Sequence, residues 1–268
     1  MRNTRPIALV TGASSGLGAT FARKLAAQGY DLVLVARRQD RLEELAREIE
    51  SNHGARSETL AADLSTDAGL KAVEDRMAAL DRLDLLVNNA GFGTRGRFFE
   101  TTIDSQDAMH RLHVLATMRL MHAALEKMVA LNRGAVINVS SVAGFWESPG
   151  SASYSSTKGW MNHITESVYL ELKAMGSAVR VQALCPGFTE TEFHDVMRVD
   201  RKLVPSPMWM RAEDVVEASL RGLDRGKLFV VPGRIYRLIV LLRGLLPRAV
   251  RHAGILAYAR RMKRNQAV

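Results

Sequence analysis

The chain has 268 residues, 47% apolar and 24% charged, an ordinary composition for a soluble globular protein and long enough for one large core. Its single cysteine, Cys185, excludes an intramolecular disulfide framework, suits a reducing compartment and reads as a core residue at the end of the apolar run 179–184. The net charge of +9 sits in the tail, where residues 225–268 carry eleven Lys/Arg and no acid; no basic face with motif support speaks for nucleic acid.

The first strand-like run, residues 6–11, begins so early that it leaves no room for a cleaved signal peptide. Further apolar runs at 31–36, 58–62, 83–88, 135–140 and 179–184, with 228–231 as a seventh, predict strands. Helical periodicity over 17–28, 39–51, 66–80, 103–130 and 153–175 predicts the helices between them. Apolar runs without alternation imply burial on both faces, and the β–α alternation implies a parallel sheet. The expected fold is a single α/β domain, doubly wound, with its ligand site beyond the carboxyl ends of the strands. It spans residues 1–233, and a basic amphipathic segment, 234–268, follows. No window reaches the roughly 18 unbroken apolar residues of a membrane span; the best, 238–246, is interrupted by Arg243. A cytoplasmic protein is expected.

Directly after the first strand stands Thr11-Gly12-Ala13-Ser14-Ser15-Gly16-Leu17-Gly18. Glycines here let the backbone bend tightly and approach a pyrophosphate, while the helix that follows directs its free amides at the phosphate. Gly12, Ser14, Ser15, Gly16, Leu17 and Gly18 are therefore candidate cofactor contacts. The end of the second strand discriminates between the nicotinamide cofactors: a carboxylate would hold the free ribose of NAD, and arginine accommodates the 2′-phosphate of NADP. The chain has Ala36-Arg37-Arg38 and no acid before Asp40, so Arg37 and Arg38 point to NADP(H). No metal is expected.

Tyr154 and Lys158 lie four apart on a predicted helix and share a face. A lysine about 4 Å from the phenol, at an effective dielectric of about 20, favours the phenolate by roughly 4 kcal/mol, or about three pKa units. That would poise Tyr154 as a general acid/base, with Ser141, just past the fifth strand, donating to a carbonyl oxygen. Tyr169 and Lys173 repeat the spacing, and Ser156 precedes Tyr169 as Ser141 precedes Tyr154. Ser156 and Tyr169 share one helix, however, which sets them roughly 20 Å apart. Ser141 and Tyr154 are joined by a loop with Gly144, Pro149 and Gly150 that can fold back.

The segments Thr11–Gly18, Asn88-Asn89-Ala90-Gly91, Asn138-Val139-Ser140-Ser141, Tyr154-x-x-x-Lys158 and Pro186-Gly187 stand in the order and approximate spacing of the short-chain dehydrogenase/reductase family, which the chain resembles over about residues 6–232. The resemblance implies a Rossmann-like sheet of about seven strands and a Ser141–Tyr154–Lys158 site. It also implies that Lys158 bonds the nicotinamide ribose and that Asp63 and Leu64 lie near the adenine. Asn89, Ala90 and Gly91 would line the cofactor, and Pro186, Gly187 and Thr189 would lie by the nicotinamide. A homodimer or homotetramer is implied as well. One position departs from the pattern: His113 stands where many relatives carry an asparagine that holds a relay water. Three roles stay open for His113, namely relaying a proton, supporting the water less well, or packing.

The substrate loop is expected at about 188–211, where Phe193, Val196, Met197, Met208, Trp209 and Met210 join Phe145 and Trp146 in an adaptable apolar pocket. A hydrophobic ketone, aldehyde, acyl or steroid-like small molecule suits it. The tail has two readings, a peripheral contact with an anionic membrane or a helix closing the cleft or a subunit contact. For the whole protein, a working carbonyl reductase or alcohol dehydrogenase leads, and a weakly active cofactor-binding regulatory protein of the same fold is the alternative.

Overall fold

The computed structural model of the chain describes residues 5–193 and 204–265, with side chains to residue 257. Seven parallel strands form one sheet in the order β3-β2-β1-β4-β5-β6-β7. They are β1 (Ile7–Thr11), β2 (Asp31–Ala36), β3 (Ser57–Ala61), β4 (Leu85–Asn88), β5 (Ala135–Val139), β6 (Arg180–Leu184) and β7 (Phe229–Val230). The order reverses between β1 and β4, and at such a switch point the strand ends open a crevice for a ligand.

The unbroken apolar runs serve two cores at once, because alternate side chains of a strand point to opposite faces. Ala8 and Val10 of β1 face one cluster with Phe21, Leu25 and Ile49, while Leu9 faces the other with Val73, Leu120 and Met128. On the first face lie α1 (Gly16–Ala27), α2 (Gln39–His53) and α7 (Ala212–Asp224). On the second lie α3 (Asp67–Ala78), α5 (Thr117–Ala130) and α6 (Ala152–Ala174). The strand β3 departs from expectation: none of its residues is fully buried, since it is an edge strand.

The predicted helix 103–130 is one backbone run in three parts. These are α4 (Ile103–His110), a π-helical stretch (Arg111–Ala116) and α5. Wide turns of this kind gather at functional sites, and this one carries His113. Helix α7 was not expected; Arg211 at its N-cap offers no side-chain bond that would announce a start. The tail forms two helices, α8 (Arg234–Leu245) and α9 (Arg248–Asn265), separated at Pro247. No helix among the described residues is long and apolar enough to cross a membrane.

Candidate active site

The turns after β1 and β4, neighbours in the sheet, are stitched together at the switch point. Thr11 Oγ1 accepts from the amides of Asn89 (2.9 Å) and Ala90 (3.0 Å), and the Asn89 amide group donates to the Thr11 carbonyl (2.9 Å). Gly12 has φ +66°, the left-handed region that favours glycine. A Cβ on Gly18 would stand 2.2 Å from the Gly12 carbonyl, so glycine there lets α1 press onto the turn. The motif asparagines of β4 and β5 hold the interior: Asn88 donates to Asn138 (2.9 Å), which donates to Thr165 (2.9 Å).

Beside this turn an anion pocket has formed. The Arg38 guanidinium donates to Ser14 Oγ (3.1 Å) and Ser15 Oγ (3.0 Å) and pairs with the Glu192 carboxylate at 3.2 Å. Arg41, one turn along α2, meets the same carboxylate at 2.5 Å. The Arg41 bond is the largest influence holding the Glu192 carboxyl below its ordinary value. Two guanidiniums close on the carboxylate, one of them also held by the two hydroxyls, and the cationic pair suits a phosphate equally well. Arg37 lies nearby, with Asp63 and Leu64, in the wall of the same cleft. Burial raises the Asp63 carboxyl, but its two bonds from Ser65, with Arg37 nearby, outweigh this and hold it below its ordinary value.

The cleft is a single cavity of about 1390 Å³, larger than the roughly 300–1,000 Å³ of an ordinary small-molecule site. Gly12, Ser14, Ser15, Gly16 and Leu17 line it at one end. Asn89, Ala90 and Gly91 follow, then Pro186, Gly187 and Thr189, and the wall continues to Ser141, Tyr154 and Lys158. Of the residues expected from sequence, Gly18 and His113 stand behind this wall; both are buried.

Ser141 caps the short turn Val142–Phe145, its Oγ accepting from the Ala143 amide at 3.1 Å, and it contacts the Tyr154 phenol. Lys158 Nζ donates to the Val139 carbonyl at 2.7 Å and stands 5.9 Å from the centre of the Tyr154 ring. Here the structure departs from the electrostatic expectation. Burial pushes the phenol up to about 12, against a smaller opposing effect of Ser141, and burial brings Lys158 down to about 7. Loss of hydration penalises the charged form of each group and so favours the neutral phenol and the neutral amine. In this state Tyr154 carries its proton. Tyr169 and Lys173 show almost the same pair geometry (5.6 Å), but Lys173 and Ser156 are exposed and neither Tyr169 nor Lys173 lines the cleft.

His113 is fully buried, and both its ring nitrogens are taken. The Phe92 amide donates to Nε2 (3.3 Å), and Nδ1 lies 2.9 Å from Thr157 Oγ1. Thr157 spends its own hydrogen on the Tyr154 carbonyl (2.9 Å), so Nδ1 must be the donor. Burial, then the charge of Lys158, keeps the imidazole well below its usual pKa and therefore neutral. A Cβ on Gly91 would fall 2.7 Å from Nε2, so the ring also packs against the loop after β4.

Phe92, Trp146, Phe188, Phe193 and Met208 give the cleft apolar lining, beside the charged Arg95, Arg97, Glu100 and Glu147. Other residues expected in this pocket lie elsewhere. Phe145 packs on Phe229 (5.7 Å), Trp209 on Phe188 (5.4 Å) and Met210 on the core; Val196 and Met197 lie outside the described residues. The tail supplies more of the wall than expected, through Tyr236, Ile239, Ile255 and Leu256. The Tyr236 hydroxyl accepts from the Phe188 amide (3.0 Å) and donates to the Met208 carbonyl (2.8 Å). Its ring lies where a Cβ on Gly187 would be, 2.0 Å away. Arg243 donates to the Phe145 carbonyl (2.8 Å), pairs with Glu147 and stacks over Trp146. Arg41, Glu192, Tyr236 and Arg243 were missed from sequence. Arg41 alone had a signal, following Arg37 and Arg38 by a helical turn; the others act across long stretches of chain.

The model of the family described as short chain dehydrogenase matches residues 6–202. An uncharacterized oxidoreductase of Staphylococcus saprophyticus is 34% identical over 222 residues, covering 82% of this chain and 91% of the relative. Among solved structures, a short-chain dehydrogenase from Sphingobium yanoikuyae in complex with NADPH superposes with a TM-score of 0.81 at 36% identity, covering 90% and 94% of the two chains. The bulky-bulky ketone specific alcohol dehydrogenase from Comamonas testosteroni gives 0.77 at 31% identity, covering 91% and 96%. A family member from Burkholderia phymatum in complex with NAD gives 0.79 at 25% identity, covering 90% and 93%.

Proposed function

The chain belongs to the short chain dehydrogenase family and is an oxidoreductase, and from that premise we propose that it interconverts a carbonyl and an alcohol with NADP(H), on a hydrophobic ketone, aldehyde, acyl or steroid-like substrate. One observation carries the reading: a single cleft joins the Arg38–Ser14–Ser15 anion pocket to Ser141, Tyr154 and Lys158 within an apolar wall. Arg37, Arg38 and Arg41 would hold the 2′-phosphate, which favours NADP over NAD. The solved relatives include complexes with each cofactor, so the preference rests on these side chains.

When bound, the nicotinamide supplies or accepts the hydride. In reduction, Tyr154 gives its proton to the carbonyl oxygen as charge develops there, and Ser141 donates a hydrogen bond to that oxygen. Lys158, with its pKa near 7, protonates readily and then stabilises the phenolate left behind. His113 acts as a neutral clamp between the loop after β4 and the helix bearing Tyr154. The apolar wall excludes water and receives the hydrophobic body of the substrate. Residues 1–233 form the catalytic unit, the tail completes its cleft, and a cytoplasmic homodimer or homotetramer is the assembly we expect.

The test is NADPH consumption against a panel of apolar ketones, aldehydes and acyl carbonyls. Steady turnover of any class supports the reading. Tight NADPH binding without turnover across the panel would replace it with the regulatory alternative.

A further inference from the structure

Helix α8 has two unlike faces. Tyr236 is 3% exposed and Arg243 stacks over Trp146, so this side holds the helix to the cleft. The opposite side turns Ile235, Leu238, Leu241, Leu242 and Leu245 outward, with Leu241 64% and Leu245 74% exposed. These positions recur at helical spacing and make one continuous apolar stripe. On α9 two further apolar side chains, Val250 and Leu256, are more than half exposed.

The charge around the stripe is of one sign. Residues 225–268 contain eleven Lys/Arg and no Asp or Glu. Arg234, Arg237 and Arg248 are exposed, and among the described residues no carboxylate pairs with them. A second copy of the same face would bring cation against cation, whereas a lipid surface with anionic headgroups offers opposite charge beside an apolar layer. Ile239 is both 38% exposed and part of the cleft wall, as is Leu256. The stripe therefore runs into the mouth of the cleft.

We infer that the outer face of α8 seats on an anionic lipid surface, with the mouth of the cleft turned toward the acyl layer. A substrate dissolved in the bilayer would then reach Tyr154 along an apolar path. The docking stands independently of the reductase reading, and only the delivery of substrate rests on it. An experiment that measures binding and not turnover keeps the two apart.

The experiment is co-sedimentation of the full chain with phosphatidylglycerol-containing and pure phosphatidylcholine vesicles across a salt series, beside the variant L241E/L245E. Neither leucine lines the cleft, so the variant should keep its melting temperature and its NADPH affinity. The expected result is at least tenfold stronger binding to the anionic vesicles at low salt. That binding should weaken severalfold at high salt, where charges beyond about 3–4 Å are screened, and should fall at least tenfold in L241E/L245E. Failure to bind anionic vesicles, equal binding to neutral ones, or binding unchanged in the variant would each overturn the inference. Light scattering identifies the alternative: if L241E/L245E splits an oligomer while the parent ignores vesicles, the stripe is a subunit contact.

Discussion

Replacing Glu192 by Gln should tighten NADPH and leave NADH alone. The Glu192 carboxylate now occupies both Arg38 and Arg41, at 3.2 and 2.5 Å, so a 2′-phosphate arriving there must displace it. All three side chains are over 40% exposed, and exposed ion pairs each contribute a factor of roughly 1.5 to 5 in an equilibrium constant. Freeing two such pairs predicts a gain of roughly 2- to 25-fold, and we expect about 3- to 10-fold in E192Q. NADH brings no phosphate to this pocket, so its dissociation constant should change by less than about twofold. Titrations followed by cofactor fluorescence, with E192A as a second variant, measure both constants. The gap between parent and variant should narrow as salt rises. An unchanged NADPH constant, or equal tightening of both cofactors, would refute the idea that Glu192 competes with the phosphate.

Replacing Arg37 by Asp and Arg38 by Ala should erase or invert the NADPH preference, and equal affinities in the parent would already count against it. Tyr154→Phe should lower turnover by about 10² or more with NADPH binding retained, while Tyr169→Phe should do little; interchanged effects would move the site to the second pair. His113 is held neutral below its usual pKa, so below about pH 6.5 the unfolded chain takes up a proton that the folded one refuses, and stability falls with acidification. His113→Asn should flatten this loss below about pH 6.5 at a cost in stability, with unchanged turnover per folded molecule; altered turnover at equal folding would point to proton relay. Gly187→Ala places a methyl 2.0 Å from the Tyr236 ring, and should destabilise by about 1–3 kcal/mol and weaken the hold of α8; an unchanged melting temperature would show that the ring moves freely.

The strands were legible to within two residues because most carry an apolar run long enough to face two cores, as with residues 32–36 of β2. Strand β3 was read in nearly the right place but with the wrong burial, since being at the edge is a property of the sheet order and not of the run itself. Helix α7, although not expected, has a local signal, since Val215, Val216, Leu220 and Leu223 recur at helical spacing and bury against α1, β6 and β7. The Tyr154–Lys158 pair was visible in its spacing, but the same spacing recurs at Tyr169 and Lys173.

What the sequence determined by itself is what neighbouring residues decide: the alternation of strand and helix, the glycine turn after β1, and the shared face of Tyr154 and Lys158. Their periodicity and conformational freedom are local, and they act before the chain has closed on itself. The tertiary structure alone decided that Glu192 fills the anion pocket of Arg38 and Arg41, and that Tyr236 seats against Gly187. It also set the protonation of the site, since burial and not the spacing of a lysine governs the Tyr154 phenol. Each of these depends on removal of water or on contact between residues tens to more than a hundred positions apart, and neither is written in any short stretch of chain.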